Sequence, residues 1–138
     1  MTLAGADRSG GFNFAIYGVA NKQLSATVRA PTAVNVASDA NFVVFTENVW
    51  HHTALVYNEP SNRMALYIDG VVVGEIGGVS GTIGWFGGTT PRFFLAYSSN
   101  NTSGFYRGFI SRVRISDIAR DEAYIREVYR KAMLYRAA

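Results

Sequence analysis

Trp50-His51-His52-Thr53-Ala54-Leu55-Val56-Tyr57, a polar loop, and Met64-Ala65-Leu66-Tyr67-Ile68-Asp69-Gly70-Val71-Val72-Val73 together decide the fold of this chain. Both apolar runs alternate. Trp50, His52, Ala54 and Val56 share one face of an extended strand. Met64, Leu66 and Ile68 share one face of the next, while Arg63, Tyr67 and Asp69 point the other way. Asp69-Gly70 then reverses the chain, because an Asp-Gly pair accepts the positive φ angles of a type I′ turn, whose twist matches the flanking strands. Val71 to Ile76 therefore returns antiparallel to Met64 to Ile68, and the three runs form a β-meander. Asn at position 69 would serve the same turn.

Further strands surround the meander. Phe12, Phe14 and Ile16 alternate with small or polar residues, as do Leu24, Ala26 and Val28 before Pro31 interrupts. Thr32 to Val36 and Phe42 to Thr46 are shorter apolar runs divided by Ser38-Asp39-Ala40-Asn41. Gly77 to Gly88 holds six glycines around Ile83, Trp85 and Phe86, which reads as a structured loop. Phe93 to Tyr97 is another strand, followed by a loop over Ser98 to Gly104. The tail changes period: Tyr124, Ile125, Val128, Tyr129, Ala132 and Met133 recur at helical spacing behind Asp121 as N-cap, which predicts a helix over about 121–136. Its apolar stripe is expected to pack on the outside of the sheets.

The wording of the meander, WHH-x-ALVY followed by LYIDGVVVG, resembles the laminin G-like modules of the concanavalin A-like lectin/glucanase superfamily. A second motif is similar to the closing strand of those modules: Phe105-Tyr106-Arg107-Gly108-Phe109-Ile110-Ser111-Arg112-Val113-Arg114-Ile115, with Asp121-Glu122 opening the terminal helix. The resemblance spans roughly residues 11 to 130. It implies an all-β fold, an antiparallel jelly-roll β-sandwich of concanavalin A type with one short C-terminal α-helix. Strands would run over about 11–115 in a single domain covering residues 1–138. Trp50, His52, Asp69, Gly70 and Gly108 carry the structural motifs. Such modules normally open with one or two strands that precede the segment starting here at Gly11. Met1 to Ala6 is then an abbreviated strand, or the chain is one piece of a larger polypeptide, or a neighbour supplies the edge.

Composition fits that class. A chain of 138 residues can build one real core, and 9 Phe, 8 Tyr and 14 Gly suit short strands joined by tight turns. With no Cys there is no disulfide framework, as in many bacterial or phage surface proteins. Met1-Thr2-Leu3-Ala4-Gly5-Ala6 lacks the basic start and apolar run of a signal peptide, and no stretch approaches the roughly 20 apolar residues of a membrane span.

Enzyme chemistry finds little support. Glycoside hydrolysis needs two carboxylates about 5 to 9.5 Å apart, and the hydrolases that resemble this fold place acids two apart on one strand. No two of the ten Asp and Glu residues are two apart, and Glu75 stands alone in its strand. His51 and His52, adjacent on a strand, would point to opposite faces and share no metal; the resemblance of this WHH segment to the laminin G-like modules implies that one of them completes packing or a hydrogen bond near the strand start. Gly78-Val79-Ser80-Gly81-Thr82 lacks the final Gly of a nucleophile elbow, and neither a dinucleotide fingerprint nor a phosphate loop occurs. No catalytic residue is assigned.

Binding is the stronger reading. A sugar site would take Trp85 and Phe86 as platform and Asn100 and Asn101 as amide partners, although the same aromatics can plug the end of the sandwich. Asp39 and Asn41 are the loop oxygens to which Ca²⁺ would turn, and no other cofactor is expected. The net charge is only +3, and Arg107-Gly108-Phe109 departs from an RNA-recognition strand at once, so nucleic acid is not the expected partner. Arg126, Arg130, Lys131 and Arg136 in the tail suit docking to a protein neighbour, since guanidinium groups pair bidentately and desolvate readily. The expected role is a non-catalytic structural or recognition component of an extracellular, cell-surface or virion assembly, of decoration or tail type. The alternative is a carbohydrate-binding module of a larger surface protein or glycoside hydrolase.

Overall fold

The computed structural model describes residues 4–6, 15–18, 24–30, 32–37, 48–78, 81, 93–95 and 108–135. Eight strands and one helix occur among them. The strands are β1 (Ala4–Ala6), β2 (Ala15–Gly18), β3 (Leu24–Ala30), β4 (Thr32–Ala37), β5 (Thr53–Asn58), β6 (Arg63–Ile68), β7 (Val71–Gly77) and β8 (Phe93–Leu95), followed by helix α1 (Glu122–Leu134). All pairings are antiparallel, in sheets ordered β2-β3-β4, β5-β6-β7 and β1-β8. Of the alternatives for the start of the chain, a short strand is one that the structure contains: Ala4 to Ala6 pairs with Phe93 to Leu95. β4 runs beside β6 and β7.

The meander forms as its alternation dictates. Ile68 pairs with Val71 across Asp69 (φ 50°) and Gly70 (φ 80°), a two-residue loop with both central angles positive. One extra residue on β7 makes a bulge opposite Leu66 and Tyr67, so that Leu66 faces Gly74 and Tyr67 faces Val72; Val73, the extra residue, is buried. The β5–β6 loop is braced by Asn62 N–H donating to Glu59 C=O at 2.9 Å, with Asn62 itself at φ 50°.

Strand β6 is buried on both faces. Met64, Leu66 and Ile68 form one side of the core, and Ala65 and Tyr67 are equally inaccessible on the other. Helix α1 causes the second burial: Ile125 packs against Ala65 and Tyr67, flanked by Ala54, Val56, Val72 and Tyr124. Burying a side chain such as Ile125 is worth about 1.5–3 kcal/mol, which holds the helix on the sheet. Its start is fixed by Asp121, whose carboxylate accepts from Tyr124 N–H at 2.8 Å, and Glu122 lies in the first turn.

The second family motif behaves differently. Of the closing strand expected over residues 105–115, residues 108–115 form no strand, and 105–107 lie outside the described residues. A strand is made by its partner, and here no described strand pairs with the segment. It lies instead along α1, with Phe109, Val113 and Ile115 exposed. The strand expected over Phe42 to Thr46 and most of the glycine loop lie outside the described residues.

Candidate interaction surface

Two constellations of polar and aromatic groups stand out, one closed and one open. The closed one joins the chain before β5 to the Asp69-Gly70 turn. His51 Nδ1 donates to Asp69 Oδ2 at 2.7 Å, His52 N–H donates to Asp69 Oδ1 at 2.9 Å, and Asp69 N–H donates to His52 C=O at 2.8 Å. One carboxylate thus fixes the turn and both histidines. The His52 ring sits 6.3 Å from the Tyr129 ring of α1, with its Nδ1 buried and without a hydrogen-bond partner; burial holds its pKa below the ordinary 6.5, against the pull of Asp69. Gly70 is pressed under the helix, where a Cβ would stand 3.3 Å from Arg126 Cα and Tyr129 Cδ1. This assembly is structural.

The open constellation runs along residues 109–120. Arg112 lies 5.2 Å from the Tyr135 ring centroid, while Arg114 and Arg120 lie 5.7 and 4.8 Å from that of Tyr124. Arg114 also donates to the Tyr124 hydroxyl, and Arg120 Nε to Ser116 Oγ at 3.2 Å. None of the three has a carboxylate partner among the described residues. Between them stand exposed apolar groups: Phe109 (83% exposed), Val113 (48%), Ile115 (67%) and Ile118 (59%), with the Trp50 ring 6.3 Å from Phe109.

The tail cations named from the sequence are placed differently. Arg126 pairs with Glu122, and Glu127 takes both Arg130 at 3.1 Å and Lys131 at 3.4 Å. Arg126, Arg130 and Lys131 are exposed, but each has a carboxylate one helical turn away. The docking set expected from the sequence does not include Arg112, Arg114 or Arg120. For the first two the signal lies at strand spacing, since no acid stands two residues from Arg112 or Arg114.

The other sequence-named positions divide. Trp85, Phe86, Asn100, Asn101, Asp39, Asn41 and Arg136 lie outside the described residues. Trp50 is partly exposed beside Phe109, and Gly108 opens the unpaired segment. Glu75 is held by two 2.6 Å bonds from Arg63 Nε and Nη2, which lower its carboxyl pKa. Among the described residues no group of three or more His, Asp or Glu side chains could hold a metal ion. A groove of about 180 Å³ lies between the sheet and the start of α1, with Val56, Ala65 and Tyr67 as its floor and Asn58, Arg63, Arg120, Asp121 and Glu122 among its rim.

Comparison with known proteins decides the family. The family model described as concanavalin A-like lectin/glucanases superfamily, laminin G type 3, matches residues 1–126. The chain belongs to this superfamily. Membership implies a jelly-roll β-sandwich; the structure shows antiparallel sheets of up to three strands and one terminal helix. No curated protein matches the sequence. Among solved structures, an S-layer domain-containing protein (residues 221–444) from Clostridium thermocellum is similar at 19% identity and a TM-score of 0.44, over 94% of this chain and 62% of that one.

Proposed function

We propose that this laminin G-like chain is a non-catalytic interaction module, a structural or recognition component of an extracellular, cell-surface or virion assembly such as a decoration or tail structure. The observation that carries the reading is the open surface along residues 109–120, where exposed apolar side chains are interleaved with guanidinium groups that have no carboxylate partner among the described residues. Interfaces are enriched in aromatic groups and Arg, and an apolar run of this kind on a soluble surface marks a contact site. Glu75, the strand carboxylate nearest to a catalytic candidate, is committed to Arg63.

The test has two arms. Incubated with β-glucan, xylan, agarose or carrageenan, the chain should release no more product than a heat-killed control; reproducible release would overturn the non-catalytic assignment. Cross-linking in the native particle or envelope should join the chain to protein neighbours at fixed sites. A freely diffusing monomer in its source would refute the assembly role.

One observation favours a second reading. The groove over Tyr67 has room on the scale of one sugar ring, with an apolar floor and polar rim, and would suit the carbohydrate-binding module that is the alternative. Saturable binding on a glycan array, lost in Arg120→Ala, would favour it.

A further inference from the structure

Resting on the interaction role just proposed, we infer that residues 109–115 are the docking strand of this module, and that its occupant is an extended segment of another protein in which acidic and apolar residues alternate. Three features of the segment converge. Its sequence alternates as a strand does: Phe109, Ser111, Val113 and Ile115 fall in one set, and Ile110, Arg112 and Arg114 in the other. It nevertheless forms no strand, and no described strand pairs with its peptide groups, while Phe109 and Ile115 remain largely exposed. Its arginines are held against Tyr135 and Tyr124, within the roughly 6 Å of a cation–π contact, which limits the rotamer freedom lost on binding.

Charge selects the occupant. Arg112, Arg114 and the neighbouring Arg120 present three positive groups with no described carboxylate against them, whereas the cations of α1 are matched by Glu122 and Glu127. A second copy of this chain does not supply the complement. None of its acids stand two apart, so no strand of the chain could set two carboxylates at the two-residue spacing of Arg112 and Arg114. A sulfated or carboxylated polysaccharide would satisfy the arginines and leave Phe109, Val113 and Ile115 in water. An acidic, apolar strand satisfies both sets, and adds its backbone hydrogen bonds as in other β-augmentation contacts. A two-stranded ribbon is marginal alone, so the side-chain contacts must supply the specificity.

The experiment uses the intact 138-residue chain and a fluorescein-labelled, end-capped ten-residue peptide alternating Val and Glu, titrated by anisotropy. Comparison peptides alternate Val with Lys and Ser with Glu, and heparin serves as the polyanion. The Val-Glu peptide should bind about tenfold or more tightly than either comparison peptide, and more weakly as salt rises. Arg112→Glu with Arg114→Glu should reduce binding at least tenfold, and Val113→Pro should also weaken it by removing a backbone donor. Arg126→Glu with Arg130→Glu should change it less than twofold. Circular dichroism melts verify that the variants stay folded, and the peptide comparison on the unaltered chain is independent of them. Equal binding of the Ser-Glu peptide, full displacement by heparin at equal charge, loss of binding in the helix variant alone, or no binding would each overturn the proposal. If native cross-linking still found fixed neighbours, the interaction role would survive and only this docking strand would be lost.

Discussion

The Asp69-Gly70 hairpin and the segment over residues 109–115 are equally strand-like in sequence and end in opposite states. In the hairpin the turn is held on all sides: Ile68 faces Val71, the Asp69 carboxylate holds His51 and the His52 backbone, and Gly70 is covered by Arg126 and Tyr129. In the segment, Phe109, Val113 and Ile115 alternate just as well, and no described strand pairs with them. Alternation describes what a strand could bury, whereas only a partner with the right register makes it one. The hairpin carries its partner within two residues through its turn. The segment has to find one elsewhere.

The largest expected effect breaks the hairpin. Gly70→Val places a β-branched residue at φ 80° and a Cβ 3.3 Å from the Arg126 backbone, so turn strain and overpacking act together. A loss of about 3 kcal/mol or more is expected, seen as a fall of roughly 10 °C in the melting temperature. Val113→Pro, an equally severe change in a sequence that reads as a strand, should alter stability by less than about 0.5 kcal/mol. Similar losses in the two variants would show that the segment is paired after all.

Asp69 sharpens the comparison. Read as a turn residue alone, it should be replaceable by Asn at little cost, but its two oxygens also accept from His51 and from the His52 backbone. Asp69→Ala removes both acceptors and should cost about 1–3 kcal/mol. Asp69→Asn keeps the turn and one acceptor, and should lose less. Equal melting of the two variants would mean that the carboxylate bonds contribute nothing and the turn alone matters.

The strands of the meander, β3, β4, β8 and the terminal helix were legible because each carries a local cause: alternation, an Asp-Gly turn, Pro31 as a stop, Asp121 as a cap. Burial of both faces of β6 was not, since the period-2 pattern assigns Tyr67 to the outer face, which is covered once α1 packs there through Ile125 and Tyr124. The same limit explains the closing motif, whose family wording fixed the order of elements but not the pairing of residues 108–115. For the surface, counting arginines pointed to the tail. The decisive quantity was the carboxylate beside each one, and for Arg126, Arg130 and Lys131 it was readable at helical spacing.

Acid should act on the hairpin side of the comparison through His52. Burial keeps its folded-state pKa below the ordinary 6.5, so the unfolded chain binds the extra proton first as pH falls. The stability this neutral ring provides is complete above about pH 6.5 and is lost progressively as pH drops from there toward the lowered folded value. Melting temperature should therefore decline between pH 7.5 and 5.5, and His52→Phe, which keeps a ring against Tyr129, should flatten that decline. An unchanged slope in the variant would remove His52 as the cause.

The smallest effect belongs to Glu75, and it separates from that of His52 by its pH window. Arg63 lowers the Glu75 carboxyl below its ordinary 4.5 through two hydrogen bonds, so the pair contributes above that value and is lost as pH falls through the depressed one. Both side chains are exposed, and water and salt screen the charge. Glu75→Gln should consequently shift the melting temperature least in the series at neutral pH, with the difference shrinking further in high salt. It should leave the decline near pH 6 untouched, because that decline belongs to the half-buried His52 ring on the opposite end of the meander. A large loss in Glu75→Gln would mean that the Arg63 pair pins the β6–β7 register, and that the two-residue turn does not hold the meander by itself.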